Sequence, residues 1–433
     1  MSEPIVNAES GGSSVTAAVQ AESRGGAACS RLLAASRLLV LILPQLLVVS
    51  ATAADSAITL VALMFLMYSW LADDWSWMVR PAVWMRWALA LWLWMLIISL
   101  FAYDIDHSYL MSLAWIRFVI FCAALEHLLL DQVWLRRLWC SAAMTAVFVA
   151  LDGLWQYKFG ADFFGYERHS ADRLSGMFQR PKIGSYLMMM FMPVVVGMYI
   201  YFAPERSRHS RLIRIVIGVV IMVLMGTIFV SGERMPFLLA LAGCLLLLVL
   251  SSGLRRRDVL IAGVCMLVSG SFFVNPVSLN RQLSTVTDIK QVAETAYAKA
   301  WSRAFDLGMD APWLGQGVDA FRFACNDPAV GHADKITTCF KHPHHVYLEW
   351  FESTGIIGLI GFIGFAVAIL RIFLRAHGSG QLSMMNYGPL ASVLLVLWPI
   401  ATAGSFYGSW RACLFWLMLG WGLAAVRGVQ GRI

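Results

Sequence analysis

Charge is what this chain has least of. Only 14% of its 433 residues are Asp, Glu, Lys or Arg, against about 25% in an ordinary soluble domain. A water-facing surface cannot be covered with so few, which excludes a soluble globular fold. No internal repeat is evident, and no low-complexity stretch lies beyond the first thirty residues. Those thirty are rich in Ser, Ala and Gly and read as a disordered cytoplasmic tail (1–30). No signal peptide with a small-residue cleavage site precedes the first apolar segment, so insertion is expected to rely on that segment itself.

What the chain does have is apolar length. It is 59% hydrophobic, and stretches approaching the roughly 20 residues needed to cross a bilayer recur near 33–52, 56–72, 83–102, 109–129, 134–154, 183–203, 212–231, 235–252, 258–276, 345–373, 385–403 and 408–426. The expectation is an all-α integral membrane protein of about twelve spans with both termini cytoplasmic. Pro44 and the short second segment leave open a hairpin at the start. Spans one to nine occupy 31–276 and include an outward loop at 157–182. A second outward loop domain covers 277–343, and spans ten to twelve cover 344–433.

Arg sets the orientation. Clusters at Arg80 and Arg86, Arg136 and Arg137, Arg206 to Arg214, Arg255 to Arg257, Arg371 and Arg375, and Arg427 and Arg432 fall in every second connection, as cytoplasmic loops require. The net charge of +7 is therefore explained by contact with anionic lipid, and nucleic acid is not an expected partner. Several of the 18 Trp stand near segment ends, as in an interfacial belt. The other connections must face outward. There the topology does not need Arg173, Lys182, Arg234, Arg303, His342, His344 and His345, which makes them candidates for function.

Three outward segments concentrate these groups. In Ser170-Ala-Asp-Arg-Leu-Ser-Gly-Met-Phe-Gln-Arg-Pro-Lys, the cations Arg173, Arg180 and Lys182 gather at a helix start with Pro181 in its first turn, a ready anion site. In Ser231-Gly-Glu-Arg, Arg234 sits in a tight turn at the membrane surface and needs an anionic partner: Glu233, or a substrate phosphate. In His342-Pro-His-His, three imidazoles invite a zinc reading. Pro343 interrupts them and no fourth ligand is spaced for zinc, so proton transfer by His344 is the better reading. His342 and His345 are equally well read as parts of a hydrogen-bonded helix start. Tyr347, Arg411 and Arg117 are secondary candidates. The pair Asp104 and Asp106 could hold a divalent metal but lacks a further acidic partner, and no metal or other cofactor is expected.

The loop domain carries helix-forming residues from Asp288 to Met309, with Val292, Ala296, Ala300, Trp301 and Phe305 at helical spacing and a stop near Gly308 and Pro312. Cys325 and Cys339 share this loop, and a disulfide between them is plausible on an oxidising face. Gly355, Gly358, Gly361 and Gly364 form a stripe suited to close helix packing.

In order and sidedness these elements resemble the O-antigen ligase family of bacterial inner membranes, within the group that includes O-antigen polymerases and protein O-oligosaccharyltransferases. The resemblance rests on Arg173, Gly176, Phe178, Pro181 and Gly184; on Ser231-Gly-Glu-Arg234; on Pro312-Trp-Leu-Gly-Gln-Gly; and on His344-His345 with Gly355-Ile-Ile-Gly358 beyond. The chain departs from the family in having His345 where Asn, Ser or Gln is usual, Lys182 where Asn is frequent, and Tyr297 where an Arg is common.

The resemblance implies a fold like that of the C-type membrane glycosyltransferases, in a Gram-negative inner membrane with a periplasmic site. It implies transfer of a glycan from undecaprenyl diphosphate to lipid A–core. His344 would be the base, and Arg173, Arg234, Lys182, Arg303 and Arg180 would hold the diphosphate. The alternatives are a polymerase, a protein O-oligosaccharyltransferase, or, in another class, a flippase for lipid-linked oligosaccharide.

Overall fold

A backbone in hydrocarbon must satisfy its own hydrogen bonds, and a continuous apolar chain does so as helix. The computed structural model describes residues 12–202, 210–250, 296–330, 339–378, 387–399, 401 and 404–430. Among them there is no strand beyond isolated bridges. The helices are α1 (Gly12–Val49), α2 (Ala51–Leu71), α3 (Ser76–Val79), α4 (Val83–Ser99), α5 (Ile105–Ala124), α6 (Gln132–Phe159), α7 (Ile183–Phe202), α8 (Ser210–Val230), α9 (Arg234–Leu250), α10 (Ala296–Asp310), α11 (Phe321–Ala324), α12 (Val346–Gly378), α13 (Tyr387–Val396) and α14 (Ser409–Gln430). Among the described residues, six helices are long and apolar enough to cross a membrane. The chain is an all-α, multi-pass membrane protein.

Several boundaries differ from expectation. The supposed tail is helical from Gly12, because an Ala-rich stretch extends the first span at little cost. Pro44 lies inside α1, and Ser50 caps α2 by accepting from Ala53 N at 3.2 Å, so α1 and α2 are two packed helices. The expected span at 258–276 and residues 288–295 lie outside the described residues. The span expected at 385–403 is helical only over Tyr387–Val396, and the chain then turns near Pro399 toward α14. In α10 the buried side is Ala300, Arg303, Ala304 and Leu307; Phe305 is half exposed.

The glycine stripe divides in two. Gly358, Gly361 and Gly364 back onto Trp94, Leu91 and Trp87 of α4. Gly355 instead breaks α12, with φ +66°. A Cβ there would lie 2.2 Å from the Trp313 carbonyl oxygen. The segment Pro312–Gly317 fills the break: Gln316 N donates to Glu352 O at 2.7 Å, Gly317 N to Ser353 O at 3.0 Å, and Ile356 N to Pro312 O at 2.8 Å. The apolar part of α12 runs 31 residues, about 46 Å at helical rise, against about 30 Å of hydrocarbon. The turns before Gly355 therefore extend toward the loop domain.

The bundle has two distinct ends. At one, Arg37 pairs with Asp131 at 3.0 Å, and Asp74, His127 and Arg427 lie within electrostatic range of each other. At the other, Tyr103 N donates to Gln316 O at 2.8 Å and Leu174 N to Ser231 O at 3.3 Å, which ties the outward connections together. Between the ends runs α14, with 89% of its apolar window buried against 33% for α1, α2 and α12.

Candidate active site

The tight turn between α8 and α9 organises the site. Gly232 has φ +75°, and a Cβ on it would sit 2.1 Å from the Asp172 carbonyl oxygen, so only glycine lets the 170–174 segment close onto the turn. Glu233 reaches toward α7. Its carboxylate accepts from Gly184 N at 2.7 Å, Ser185 N at 3.2 Å and Ser185 Oγ at 2.7 Å, capping α7. The helix start read from sequence as an anion site is thus already filled by a carboxylate of the protein itself.

The cations sit around that cap. Arg173 and Arg234 lie within electrostatic range of each other. Two like charges gathered at one end of the bundle create a field for an anion. Arg173 Nε is buried without a hydrogen-bond partner, a donor that a bound anion would satisfy. Lys182 lays its ammonium over the Trp410 ring, 4.6 Å from the centroid; burial, and then the neighbouring Arg180 guanidinium, push its pKa down. Arg180 itself is exposed.

The three imidazoles have three different environments. His345 caps α12, its Nδ1 accepting from Leu348 N at 3.3 Å. His342 lies with its ring 4.0 Å from that of His344, and its Nε2 is buried without a partner. Burial, then the His344, Arg411 and Arg322 cations, push His342 down to about 3, so it is neutral at pH 7. His344 has φ +58°, a left-handed conformation that is uncommon for a non-glycine residue and worth tracing to function. It turns the ring into an aromatic collar in which Tyr297 and Phe340 each meet it edge-on at 5.1 Å. Tyr297 in turn is within electrostatic range of Arg234. The bases and the guanidinium pair therefore meet through one tyrosine of α10.

Arg411, in the first turn of α14, lies within electrostatic range of Glu233, Glu349 and His342. Glu349 is buried and accepts from Phe406 N at 2.7 Å. Arg411 thus lies among buried acids behind the site.

Residues 217–363 match the family model described as O-antigen ligase. That stretch of the chain is similar to the O-antigen ligase family. No curated protein matches the chain.

The O-antigen ligase match includes Arg234, Tyr297 and His344, whereas Arg173, Lys182 and Arg411 come from outside it. Within the matched stretch Arg303 has a structural role. It is buried, and its guanidinium donates to the carbonyls of Cys325 at 3.1 Å, Ala324 at 3.1 Å and Asp327 at 2.8 Å. Those carbonyls flank the Cys325–Cys339 disulfide, so Arg303 holds the disulfide loop on α10. Arg117 also lies elsewhere, paired with Asp55 of α2 at 2.9 Å. Tyr347 donates its hydroxyl to Leu397 O at 2.6 Å and fixes the chain beyond α13. Asp104 caps α5 through His107 N at 3.0 Å, and the His107 ring pairs with Asp319 at 3.0 Å. Sequence reasoning missed Tyr297, Glu349 and Trp410 as members of this candidate site. A signal existed for Glu349, an acid in the first turn of an apolar helix.

Proposed function

We propose that the protein is an inverting glycosyltransferase that moves O-antigen glycan from undecaprenyl diphosphate to lipid A–core on the periplasmic face of a Gram-negative inner membrane. The observation that carries this reading is the convergence of Arg173 and Arg234 with His344 through Tyr297. The donor brings an anomeric carbon already activated by diphosphate. Arg173 and Arg234 hold that leaving group, with Lys182 adding to the field. His344 takes the proton of the acceptor hydroxyl as its oxygen attacks the anomeric carbon. The carbon–oxygen bond to diphosphate breaks on the opposite face, and undecaprenyl diphosphate leaves with the electron pair. A base of this kind contributes about 10²–10⁴-fold, and charge stabilisation in a partly dry site about as much or more. The chemistry requires no nucleotide sugar, since the leaving group supplies the driving force.

The site's position supports chemistry over transport. A transporter for a lipid-linked glycan needs its charges near the midplane between broken helices, whereas here they gather at one end of the bundle. The deciding experiment is reconstitution of the purified chain with a defined undecaprenyl-diphosphate glycan. Glycan appearing on lipid A–core, with the donor consumed and with chelator present, is the expected result. Products lengthened on the donor lipid would instead identify a polymerase, glycosylated Ser or Thr a protein oligosaccharyltransferase, and no new bond a flippase.

A further inference from the structure

The connection between α4 and α5 is built into the loop domain. Val318 N donates to Ser108 Oγ at 2.8 Å, and Gly317 backs onto Ala102, where a Cβ would come within 2.3 Å. Between this connection and α11 lies a shallow cavity, wide open to the surface, of about 820 Å³, lined among others by Tyr103, Asp104, Asp106, Arg322 and Phe323. That volume is within the usual range of small-molecule sites, roughly 300–1,000 Å³.

Its rings and charges are individually held. Tyr103 donates its hydroxyl to Asp327 at 2.8 Å. The Phe323 ring meets His107 edge-on at 5.0 Å. Arg322 pairs with buried Asp319 at 2.6 Å, yet its Nε is buried without a partner. Aromatic faces offer a stacking surface to the apolar C–H face of a pyranose, and charged donors and acceptors beside them take its hydroxyls.

The cavity also adjoins the chemistry. Arg322 is within electrostatic range of His342, whose ring lies 4.0 Å from that of His344, tilted by 52°. The neighbours thus run from Arg173 and Arg234 through Tyr297, His344 and His342 to Arg322. The diphosphate field is at one end of this series and the cavity at the other.

We propose that this cavity is the subsite for the acceptor saccharide, which places a neutral or amino-bearing sugar ring against Tyr103 and Phe323 with its hydroxyls on Asp106 and Arg322. The proposal rests on the glycosyltransfer reading for the word acceptor. A phosphorylated or acidic sugar fits poorly, because Asp104 and Asp106 repel it and Asp319 already neutralises Arg322.

The test uses the full chain in lipid nanodiscs at saturating donor. Phe323→Ala and Asp106→Asn should each raise the acceptor KM about tenfold, more than any change in donor KM, while Phe323→Tyr stays near the parent. An acceptor KM that does not move, or a donor KM that rises in its place, overturns the proposal. Titration of a lipid-free core oligosaccharide into the His344→Asn protein gives a second measure without turnover. Binding that Phe323→Ala weakens, and that a sugar phosphate fails to compete, supports the subsite even if no glycosidic bond is ever formed. No binding to the intact cavity overturns it, whatever the transfer assay shows.

Discussion

Tyr297 stands between His344 and Arg234, its ring edge-on to the imidazole at 5.1 Å and within the electrostatic reach of the guanidinium. One aromatic residue of α10 thereby couples the loop domain to both proposed halves of the chemistry. It also stiffens a histidine whose backbone is left-handed. The proposed base packs edge-on against Tyr297 and Phe340.

His344→Asn follows from that geometry. Asn accepts a positive φ more readily than most residues, so the backbone turn should survive while the base is lost. Circular dichroism and the thermal midpoint in detergent should match the parent, and turnover should fall about 10²–10⁴-fold. A His344→Asn protein retaining more than half of parental turnover would remove the base assignment.

Arg234→Lys and Arg173→Lys keep the charge and discard the planar fork. If a diphosphate is gripped bidentately, each should lower turnover about tenfold or more, close to the loss seen with Ala. Donor affinity measured on the His344→Asn background separates grip from chemistry. Lysine variants that bind and turn over donor like the parent would mean that charge alone matters there.

Much of this was legible in the sequence because membrane insertion writes strong signals. Apolar length predicted the helices found among the described residues. Partners could not be read. Glu233 is adjacent to Arg234 in the chain but reaches Gly184 and Ser185 of α7, a choice fixed by the tertiary position of α7. Arg303 had the charge of a ligand residue but is satisfied by three backbone carbonyls, which periodicity does not encode. Gly355 shared the spacing of a packing stripe but has a backbone conformation no helix uses.

The role of Arg303 can be tested against the disulfide it supports. Cys325 and Cys339 are 14 residues apart, and losing the link from a loop of that size costs about 3 kcal/mol in the chain-entropy view. Cys325→Ser with Cys339→Ser should make the loop domain cleavable by protease at lower temperature, and Arg303→Lys should do the same, since a compact ammonium lacks the planar fork that reaches these three carbonyls from two nitrogens. Donor affinity of Arg303→Lys, measured below its lowered midpoint, should equal that of the parent. A raised dissociation constant with an unmoved midpoint would return Arg303 to the diphosphate site.

His342 makes the stability of the site depend on pH in a defined direction. Its ring is pushed from an ordinary value near 6.5 down to about 3, first by burial and then by His344, Arg411 and Arg322. Between those values the unfolded chain binds a proton that the folded chain refuses. Stability from this group is therefore fully present above pH 6.5 and is lost as pH falls toward 3. Carboxylates titrate in the same window, so the informative quantity is the difference between two curves. The thermal midpoint of His342→Gln should fall less steeply than that of the parent from pH 6.5 downward, and the two slopes should agree above pH 7. Parallel curves through the acid range would show that His342 takes up its proton without resistance, and that the cations around it do not converge as the structure has them.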